Sequence, residues 1–402
     1  MAKAGNEEKL AMHGGRPVRQ TLLPYGHQSI DEDDILAVVQ VLKSDWITTG
    51  PKVGEFEEAF ASYVGARYAV SFSSGTAALH GAAYASGMKR GDEAITTPMT
   101  FCATANCILY QGATPVFADV SSDTLNIDPD EVANRITNKT KAIIPVDFAG
   151  HPADLKAINE IAEDKRLIII EDACHALGAK CNGRAVGSIS DMTVFSFHPV
   201  KHITTGEGGM VVTESQEMAN RMRTFRNHGI STDARQRAIQ GSWFYQMVDL
   251  GYNYRLTDLQ CALGLSQLRK LPKWLVRRQD IANIYDSAFK DCTSIEPLCL
   301  RSDVFHAYHL YVIRLNLERL GVGRDTIFAA LRAEGIGVNV HYIPVHLHPF
   351  YRINLGTEPG MCPVAEAAYD QILSLPIFPG MNDSDAGDVV DAMHKITEVY
   401  GL

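Results

Sequence analysis

The chain is organised around one stretch, Phe195-Ser-Phe-His-Pro-Val-Lys-His-Ile-Thr-Thr-Gly-Glu-Gly-Gly209. Apolar runs at 192–197 and 210–213 predict a strand on each side of it. Pro199 ends regular structure, and the three glycines near the end permit tight turns. Lys201 is therefore predicted to lie on a stiff loop between two strands. In partly dry surroundings such an amine has a lowered pKa and attacks carbonyl groups, although most loop lysines are simply surface residues.

Composition limits the possible classes of protein. The 402 residues suffice for two domains, and 46% apolar and 21% charged residues are ordinary for a globular protein. A net charge of −10 argues against a nucleic-acid or anionic membrane partner. There is no apolar run of about 18 residues, which predicts no membrane span. The eight cysteines form no C-x-x-C pair and the first residues are polar, so we expect reduced thiols and a cytoplasmic location.

Strand and helix patterns alternate between Arg67 and Asp172. Repeated βα units predict an α/β fold with a mostly parallel sheet and helices on both faces. After Pro297 the pattern changes to that of a smaller α+β domain, with strands predicted at 309–315 and 337–342. A helix starting at Asp258 is expected to stop near Pro272.

The domain prediction follows from these changes of pattern. Residues 1–28 are polar and irregular, and we interpret them as an N-terminal arm. Residues 29–270 are predicted to form the large domain, and residues 271–402 the small C-terminal domain.

A candidate phosphate cradle follows the first predicted strand of the alternating region. In Ser73-Ser-Gly-Thr-Ala-Ala78, a strand ends, a glycine turn follows and a helix begins. The unpaired N–H groups and partial positive charge of a helix N-terminus bind anions, and Ser74 and Thr76 add hydroxyl groups. Serine and threonine at a helix start are equally explained by capping.

An acid stands at the end of another predicted strand. Asp172 closes the run Leu167-Ile-Ile-Ile-Glu-Asp172, at the edge where open α/β sheets bind ligands. A protonated ring nitrogen of a cofactor would satisfy its carboxylate, but so would a purely structural capping role. His175 lies three residues later and is placed to support the same ligand.

A phosphate cradle, an acid and an activated lysine are together what pyridoxal phosphate requires. Its phosphate needs donors, its pyridine nitrogen needs an acid, and its aldehyde needs a lysine. The three features therefore predict this cofactor. No metal site is predicted, because the candidate ligands His341, His346 and His348 are interrupted by prolines and lack nearby acids in the sequence.

The chain also resembles a known family, the DegT/DnrJ/StrS sugar aminotransferases. The resemblance covers the chain from about Ile30 onward and rests on Ser73–Leu79, Glu171–Gly178, Phe195–Gly209 and Gly251–Asp258. It implies the fold type I (aspartate aminotransferase-like) architecture and a homodimer with shared active sites.

The resemblance implies a role for each matching residue. Lys201 would bond to the cofactor aldehyde and carry the proton during transfer, and Asp172 would pair with the pyridine nitrogen. The expected phosphate contacts are Gly75, Thr76 and Ser196. The expected contacts to the cofactor ring are Phe101 and His175. Asn253 would reach the phosphate in the partner subunit, and the candidate substrate contacts are Arg255, His341 and Tyr342.

Two further segments, 309–314 and 337–346, are similar to the UDP-4-keto-6-deoxy-sugar 4-aminotransferases of the family. They most resemble the branch that makes UDP-4-amino-4,6-dideoxy-N-acetyl-altrosamine for pseudaminic acid. The implied reaction is amino transfer from L-glutamate to C4 of a UDP-4-keto-6-deoxy-N-acetylhexosamine. Two alternatives stay open: a 3- or 4-aminotransferase for a GDP- or dTDP-linked sugar, and a non-catalytic regulator that binds pyridoxal phosphate.

Overall fold

The computed structural model of the chain describes residues 9–232, 237, 239 and 241–401. Its strands are β1 (Tyr68–Phe72), β2 (Glu93–Thr96), β3 (Thr114–Phe117), β4 (Thr140–Ile144), β5 (Ile168–Asp172), β6 (Lys180–Cys181), β7 (Arg184–Ala185), β8 (Met192–Ser196), β9 (Gly209–Thr213), β10 (Ile295–Pro297), β11 (Val304–Phe305), β12 (Tyr311–Leu315) and β13 (Ile372–Leu375). Its α-helices are α1 (Glu32–Leu42), α2 (Pro51–Val64), α3 (Gly75–Ala85), α4 (Ala103–Tyr110), α5 (Pro129–Arg135), α6 (Leu155–Lys165), α7 (Gln216–Phe225), α8 (Asp258–Phe289), α9 (Leu317–Leu320), α10 (Arg324–Ala333), α11 (Pro349–Leu355), α12 (Pro363–Gln371) and α13 (Asp383–Tyr400). Short 3-10 helices cover Ala11–His13, Phe148–Gly150 and Val345–Leu347.

The main sheet has the strand order β1-β9-β8-β5-β4-β2-β3. The strands from β8 to β3 pair in parallel, whereas β9 runs antiparallel to both of its neighbours. This confirms the predicted mostly parallel α/β sheet. Parallel strands end at one edge of a sheet, so Phe72, Asp172 and Ser196, the last residues of β1, β5 and β8, lie along the same edge.

Helices cover both faces of this sheet, as the sequence predicts. Ile170 and Val194 pack with residues of α3, α4 and α7 on one face. Phe195, the neighbour of Val194, points to the other face and packs against α2 and α8. Its ring lies 5.1 Å from that of Phe60 in an edge-on contact. Burying each such side chain stabilises the fold by about 1.5–3 kcal/mol.

A smaller antiparallel sheet, ordered β10-β12-β13, packs with α10, α13 and the end of α8 around a second core. Leu10 and Leu23 of the predicted arm are buried in this core. The buried carboxylate of Glu334 fixes the arm further, because it accepts hydrogen bonds from the backbone N–H groups of Ala11 and Val18 at 2.7 and 3.0 Å. Residues 1–8 of the arm lie outside the described part of the chain.

The expected helix break near Pro272 is wrong. Helix α8 continues through this proline to Phe289, so the predicted boundary at 270/271 falls inside a helix. Leu271 and Leu275 on either side of the proline are buried in the core of the main sheet, and this packing outweighs the roughly 3 kcal/mol cost of an interior proline. Neither α8 nor any other helix in residues 9–232 and 241–401 is long and apolar enough to cross a membrane.

The strand expected at 337–342 is also wrong. Only Asn339 makes a sheet-like pairing, an isolated antiparallel bridge to Ser374. The alternating apolar residues nevertheless face the interior: Val338 is buried in the core of the small sheet, and Val340 is partly buried against two cores. The alternation therefore reflects burial of an extended segment between cores rather than a strand ladder.

Candidate active site

Lys201 lies on the loop between β8 and β9, as the sequence predicts. Backbone hydrogen bonds from Phe197 N to Gly208 O (2.8 Å) and from Lys201 N to His198 O (2.9 Å) fix this loop. The Lys201 amine lies 3.3 Å from Nε2 of His309. Burial lowers the pKa of Lys201 to about 8, although Cys174 and Asp172 act in the opposite direction. About a tenth of this amine is therefore uncharged and nucleophilic at pH 7, far more than for a lysine with an ordinary pKa.

Asp172 is buried at the end of β5 and is held by two donors. The hydroxyl of Thr104 donates to its Oδ2 at 2.7 Å, and the backbone N–H of Cys174 donates to its Oδ1 at 3.2 Å. The carboxylate lines the same cavity as Lys201. A carboxylate held in this way can pair with a cationic group of a ligand.

The N-terminus of α3 forms a cradle beside these two residues. Ser74 caps the helix, and its side chain accepts a hydrogen bond from Ala77 N at 3.1 Å. A Cβ added to Gly75 would lie 3.0 Å from Cβ of Ser196, so glycine keeps this space open. A Cβ on Gly209 would lie only 2.5 Å from the Ser74 carbonyl oxygen. Glycine at these two positions therefore lets the lysine loop approach the helix N-terminus, which attracts anions.

The opposite wall of the cavity comes from the C-terminal part of the chain. The hydroxyl of Tyr342 lies 3.0 Å from Nε2 of His175, and their rings stack at 27°. Nδ1 of His341 lies 2.8 Å from the hydroxyl of Ser374. Burial lowers the pKa of His341 to about 3, helped by the charge of Lys201. The wall therefore presents uncharged groups that can form hydrogen bonds.

One cavity of about 530 Å³ gathers most of the predicted site residues. Those that line it are Gly75, Thr76, Phe101, Asp172, His175, Ser196, Lys201, His341 and Tyr342. Asn253 and Arg255 do not line it. Asn253 is exposed, with a backbone pairing to Asn227. Arg255 lines a neighbouring cavity of about 490 Å³ and contacts Oδ1 of Asn227 at 2.8 Å.

Among the cavity residues outside the predicted set, three make side-chain contacts with predicted site residues. Thr104 contacts Asp172, and His309 contacts Lys201. Tyr25 of the arm also lines the cavity, with its ring 5.3 Å from that of His341. No local pattern indicates these contacts, because each joins segments far apart in the sequence.

Two of the three histidines considered as metal ligands have other partners. His346 lies 2.9 Å from the carboxylate of Glu366, and His341 faces Ser374. Glu366 of α12, 20 residues further along the chain, is thus the acid beside His346. This contact engages Nε2 of the buried His346 in a structural pair.

The cavity suits pyridoxal phosphate. The helix N-terminus beside Gly75 provides backbone donors and space for a phosphate, and Asp172 is an acid that can face a protonated ring nitrogen. Lys201 supplies an amine for the aldehyde. When bound, this cofactor supplies the carbonyl that accepts an amino group and a ring that withdraws electrons from the reacting carbon.

Comparisons with known proteins agree with these features. The model of the DegT/DnrJ/EryC1/StrS aminotransferase family matches residues 28–394. The spore coat polysaccharide biosynthesis protein SpsC of Bacillus subtilis is 43% identical over 382 residues, which are 94% of this chain and 98% of that protein.

Two solved structures are closely similar. The putative sugar aminotransferase Spr1654 from Streptococcus pneumoniae, in its PMP form, superposes with a TM-score of 0.89 at 35% identity, covering 94% of this chain and 100% of that chain. Helicobacter pylori PseC, an aminotransferase involved in the biosynthesis of pseudaminic acid, superposes with a TM-score of 0.88 at 34% identity and the same coverage. Spr1654 is also known in a PLP form. This chain belongs to the DegT/DnrJ/EryC1/StrS aminotransferase family and is a sugar aminotransferase that uses pyridoxal phosphate.

Proposed function

We propose that this enzyme transfers an amino group from L-glutamate to C4 of a UDP-4-keto-6-deoxy-N-acetylhexosamine, giving a UDP-4-amino sugar for a surface glycan of the pseudaminic acid type. The observation that carries the proposal is the shared cavity of Lys201, Asp172 and the N-terminus of α3. The likeness to PseC over 94% of the chain supports the choice of sugar. The likeness to SpsC supports a role in polysaccharide synthesis.

Lys201 is the proposed proton carrier. Its amine has a pKa of about 8, so near neutral pH it can both take and return a proton. Its Nζ would remove the proton from the carbon that carries the amino group of glutamate. In the second half of the reaction the same amine would deliver a proton to C4 of the sugar. Asp172 is proposed to hold the positive charge of the cofactor ring during both halves.

Uncharged polar groups make up the proposed sugar wall. Tyr342, His341 and Asn339 line the cavity opposite the cradle. Hydroxyl, imidazole and amide groups match the donors and acceptors of a sugar, and a site built on such hydrogen bonds discriminates strongly between sugars. Phe101 is 58% exposed at the cavity and offers a face for the cofactor ring. Gly75, Thr76 and Ser196 are the proposed phosphate contacts, and His175 is proposed to contact the ring.

The active unit is proposed to be a cytoplasmic homodimer in which Asn253 completes the partner's phosphate site and Arg255 lies near the sugar nucleotide. Asn253 is exposed in the single chain, and the preceding segment carries exposed apolar side chains, among them Trp243 (84% exposed) and Leu250 (66%). Exposed apolar surface of this kind is typical of a protein interface.

A two-step assay tests the proposed function. The purified enzyme is first loaded with pyridoxal phosphate and mixed with L-glutamate alone, and 2-oxoglutarate is measured. It is then offered 4-keto-6-deoxy sugars linked to UDP, dTDP or GDP, and 3-keto sugars. We expect 2-oxoglutarate in the first step and amination at C4 of the UDP sugar in the second. Amination only of a dTDP, GDP or 3-keto sugar would refute the substrate, and failure of both steps would favour a non-catalytic regulator.

A further inference from the structure

His309 lies against the Lys201 amine from a separate part of the chain. The backbone on either side of it is fixed, because Ala307 N and Leu310 N donate to Gly150 O and Ala149 O at 2.9 and 3.1 Å. The imidazole is buried, with 4% exposure, and its Nε2 lies 3.3 Å from Lys201 Nζ. The position of the ring is therefore set by the fold rather than by the flexible lysine.

The surroundings of His309 keep its imidazole neutral. Burial lowers its pKa well below the usual range, and the charges of Lys201, His175, His202 and Arg278 act in the same direction. A neutral imidazole has one nitrogen that accepts and one that donates. Lysine in its ammonium form only donates, so Nε2 is the accepting nitrogen and Nδ1 carries the hydrogen.

Arg278 stabilises the position and the neutral form of His309. Its guanidinium is buried and donates to the carbonyl oxygens of Tyr308 at 2.8 Å, Ile377 at 2.9 Å and His309 at 3.4 Å. Among the described residues, no carboxylate forms a salt bridge with it. The arginine thus fixes the backbone of the histidine, and its positive charge opposes protonation of the imidazole.

We propose that His309 is a positioning residue for Lys201: its Nε2 accepts a hydrogen bond from the lysine amine and holds the amine inside the cavity whenever that amine is not bonded to the cofactor. A free lysine side chain has four rotatable bonds and loses much entropy when it is fixed. The hydrogen bond restricts the amine to one orientation and leaves its lone pair free for the transferred proton.

The proposal rests on the proposed role of Lys201 and adds a residue to it. His175 and His202 also surround the imidazole of His309, with ring distances of 4.4 and 5.7 Å. Their hydrogen bonds go elsewhere, to Tyr342 and to Ala307 O at 3.0 Å. Asp172 and Cys174 are the groups whose charges favour the ammonium form of Lys201. His309 is therefore the imidazole that contacts the lysine directly.

Two substitutions at His309 distinguish the effect of its hydrogen bond from the effect of its side-chain shape. Glutamine places its amide near the position of Nε2, so His309→Gln keeps an acceptor for Lys201. Asparagine ends near the position of Nδ1, so His309→Asn removes the acceptor while remaining polar. His306→Asn is the control, because His306 lies in the same loop and its Nδ1, which asparagine replaces, accepts from Tyr308 N at 2.8 Å instead.

The test uses the full-length enzyme loaded with pyridoxamine phosphate, which leaves Lys201 free. Competitive labelling with acetic anhydride between pH 6 and 11, followed by peptide mass spectrometry, gives the pKa of the amine. We expect His309→Asn to lower it by about one unit, because the ammonium loses an acceptor. His309→Gln and His306→Asn should leave it unchanged. Equal values in all variants, or equal shifts for Gln and Asn, would overturn the proposal.

A kinetic measurement adds a second readout. His309→Asn should lower kcat about tenfold with little change of KM, because orientation of the amine is lost while substrate binding is kept. His309→Gln should restore most of kcat. The labelling result requires no sugar substrate. If the proposed sugar is not aminated but the labelling shift appears, the proposed substrate fails and the role of His309 stands.

Discussion

The hydroxyl of Thr104 donates a 2.7 Å hydrogen bond to the carboxylate of Asp172, which ties the first turn of α4 to the end of β5. The same hydroxyl lies 2.8 Å from that of Thr100. A buried chain of two hydroxyl groups thus ends on the acid that is proposed to face the cofactor ring. We therefore expect the interaction of this acid with the ring to depend on Thr104.

Thr104→Val should lower both activity and stability. The isosteric valine leaves one buried carboxylate oxygen without this donor, which costs about 1–3 kcal/mol. We expect kcat to fall about tenfold and the free energy of unfolding in urea to decrease by about 1–2 kcal/mol. Thr104→Ser retains the hydroxyl and should stay close to the unmodified enzyme. Equal activity of the valine and serine variants would show that the hydrogen bond is unimportant.

Gly75→Ala should weaken cofactor binding without unfolding the protein. The added Cβ would lie 3.0 and 3.1 Å from Cβ and Oγ of Ser196, in the space proposed for the phosphate. We expect the Kd for pyridoxal phosphate, measured by fluorescence titration, to rise about tenfold, which corresponds to about 1.4 kcal/mol.

Gly387→Ala is the matched control for this change. The same methyl group meets nothing within 4 Å there and replaces a glycine inside α13. It should leave the Kd unchanged and raise stability by about 0.5–1 kcal/mol. A Kd that is unaffected by Gly75→Ala would place the phosphate elsewhere.

Asp147 and Glu171 form a buried carboxyl pair that should make the stability of the fold depend on pH. Both are fully buried, burial raises the pKa of each, and the charge of Glu171 raises the pKa of Asp147 further. The folded protein keeps a proton that the unfolded chain releases near the ordinary Asp value of 3.8. The stabilisation from this proton is complete below that pH. It is lost as pH rises through the raised pKa that the carboxyl has in the folded protein.

Asp147→Asn removes one member of this pair, so stability should decrease less as pH rises. We expect the unmodified enzyme to lose unfolding free energy as pH rises above the ordinary Asp value, and the variant to lose less over the same range. Urea titrations at several pH values give this difference. Asp164→Asn, at an exposed carboxylate beside Lys165, is the control and should not alter the slope. Parallel slopes for all three proteins would contradict a shared proton.

Mixing two inactive variants tests the proposed shared sites. Lys201→Ala lacks the amine, and Asn253→Asp places a negative charge where the partner's phosphate is proposed to lie. If each site takes Lys201 from one subunit and Asn253 from the other, a mixed dimer has one intact site. Random exchange should then restore about a quarter of the normal activity. No recovery, after mass spectrometry has shown that subunits exchange, would mean that each site belongs to a single chain.

The sequence predicts most features that depend on neighbouring residues. Apolar runs predict β5 and β8, so Asp172 is correctly placed at the edge of the sheet. The pattern of proline and glycine correctly predicts the fixed loop that carries Lys201. The serine and glycine before α3 predict the turn into that helix. These features are local, and the parallel sheet then brings their ends together.

Long-range contacts were not predictable in the same way. His309 and Lys201 are 108 residues apart, and Thr104 and Asp172 are 68 apart. Their contacts depend on how separate segments pack, which no short pattern encodes. Pro272 illustrates the same limit, because its local preference to end a helix is overcome by the burial of its neighbours in the core.

Chemical trapping of the cofactor tests the central claim most directly. The enzyme is loaded with pyridoxal phosphate, treated with sodium borohydride and digested, and the peptide that carries the reduced cofactor is sequenced by mass spectrometry. We expect a single modified residue, Lys201, and no modified peptide in Lys201→Ala. Attachment to a different lysine in the unmodified enzyme would contradict the account.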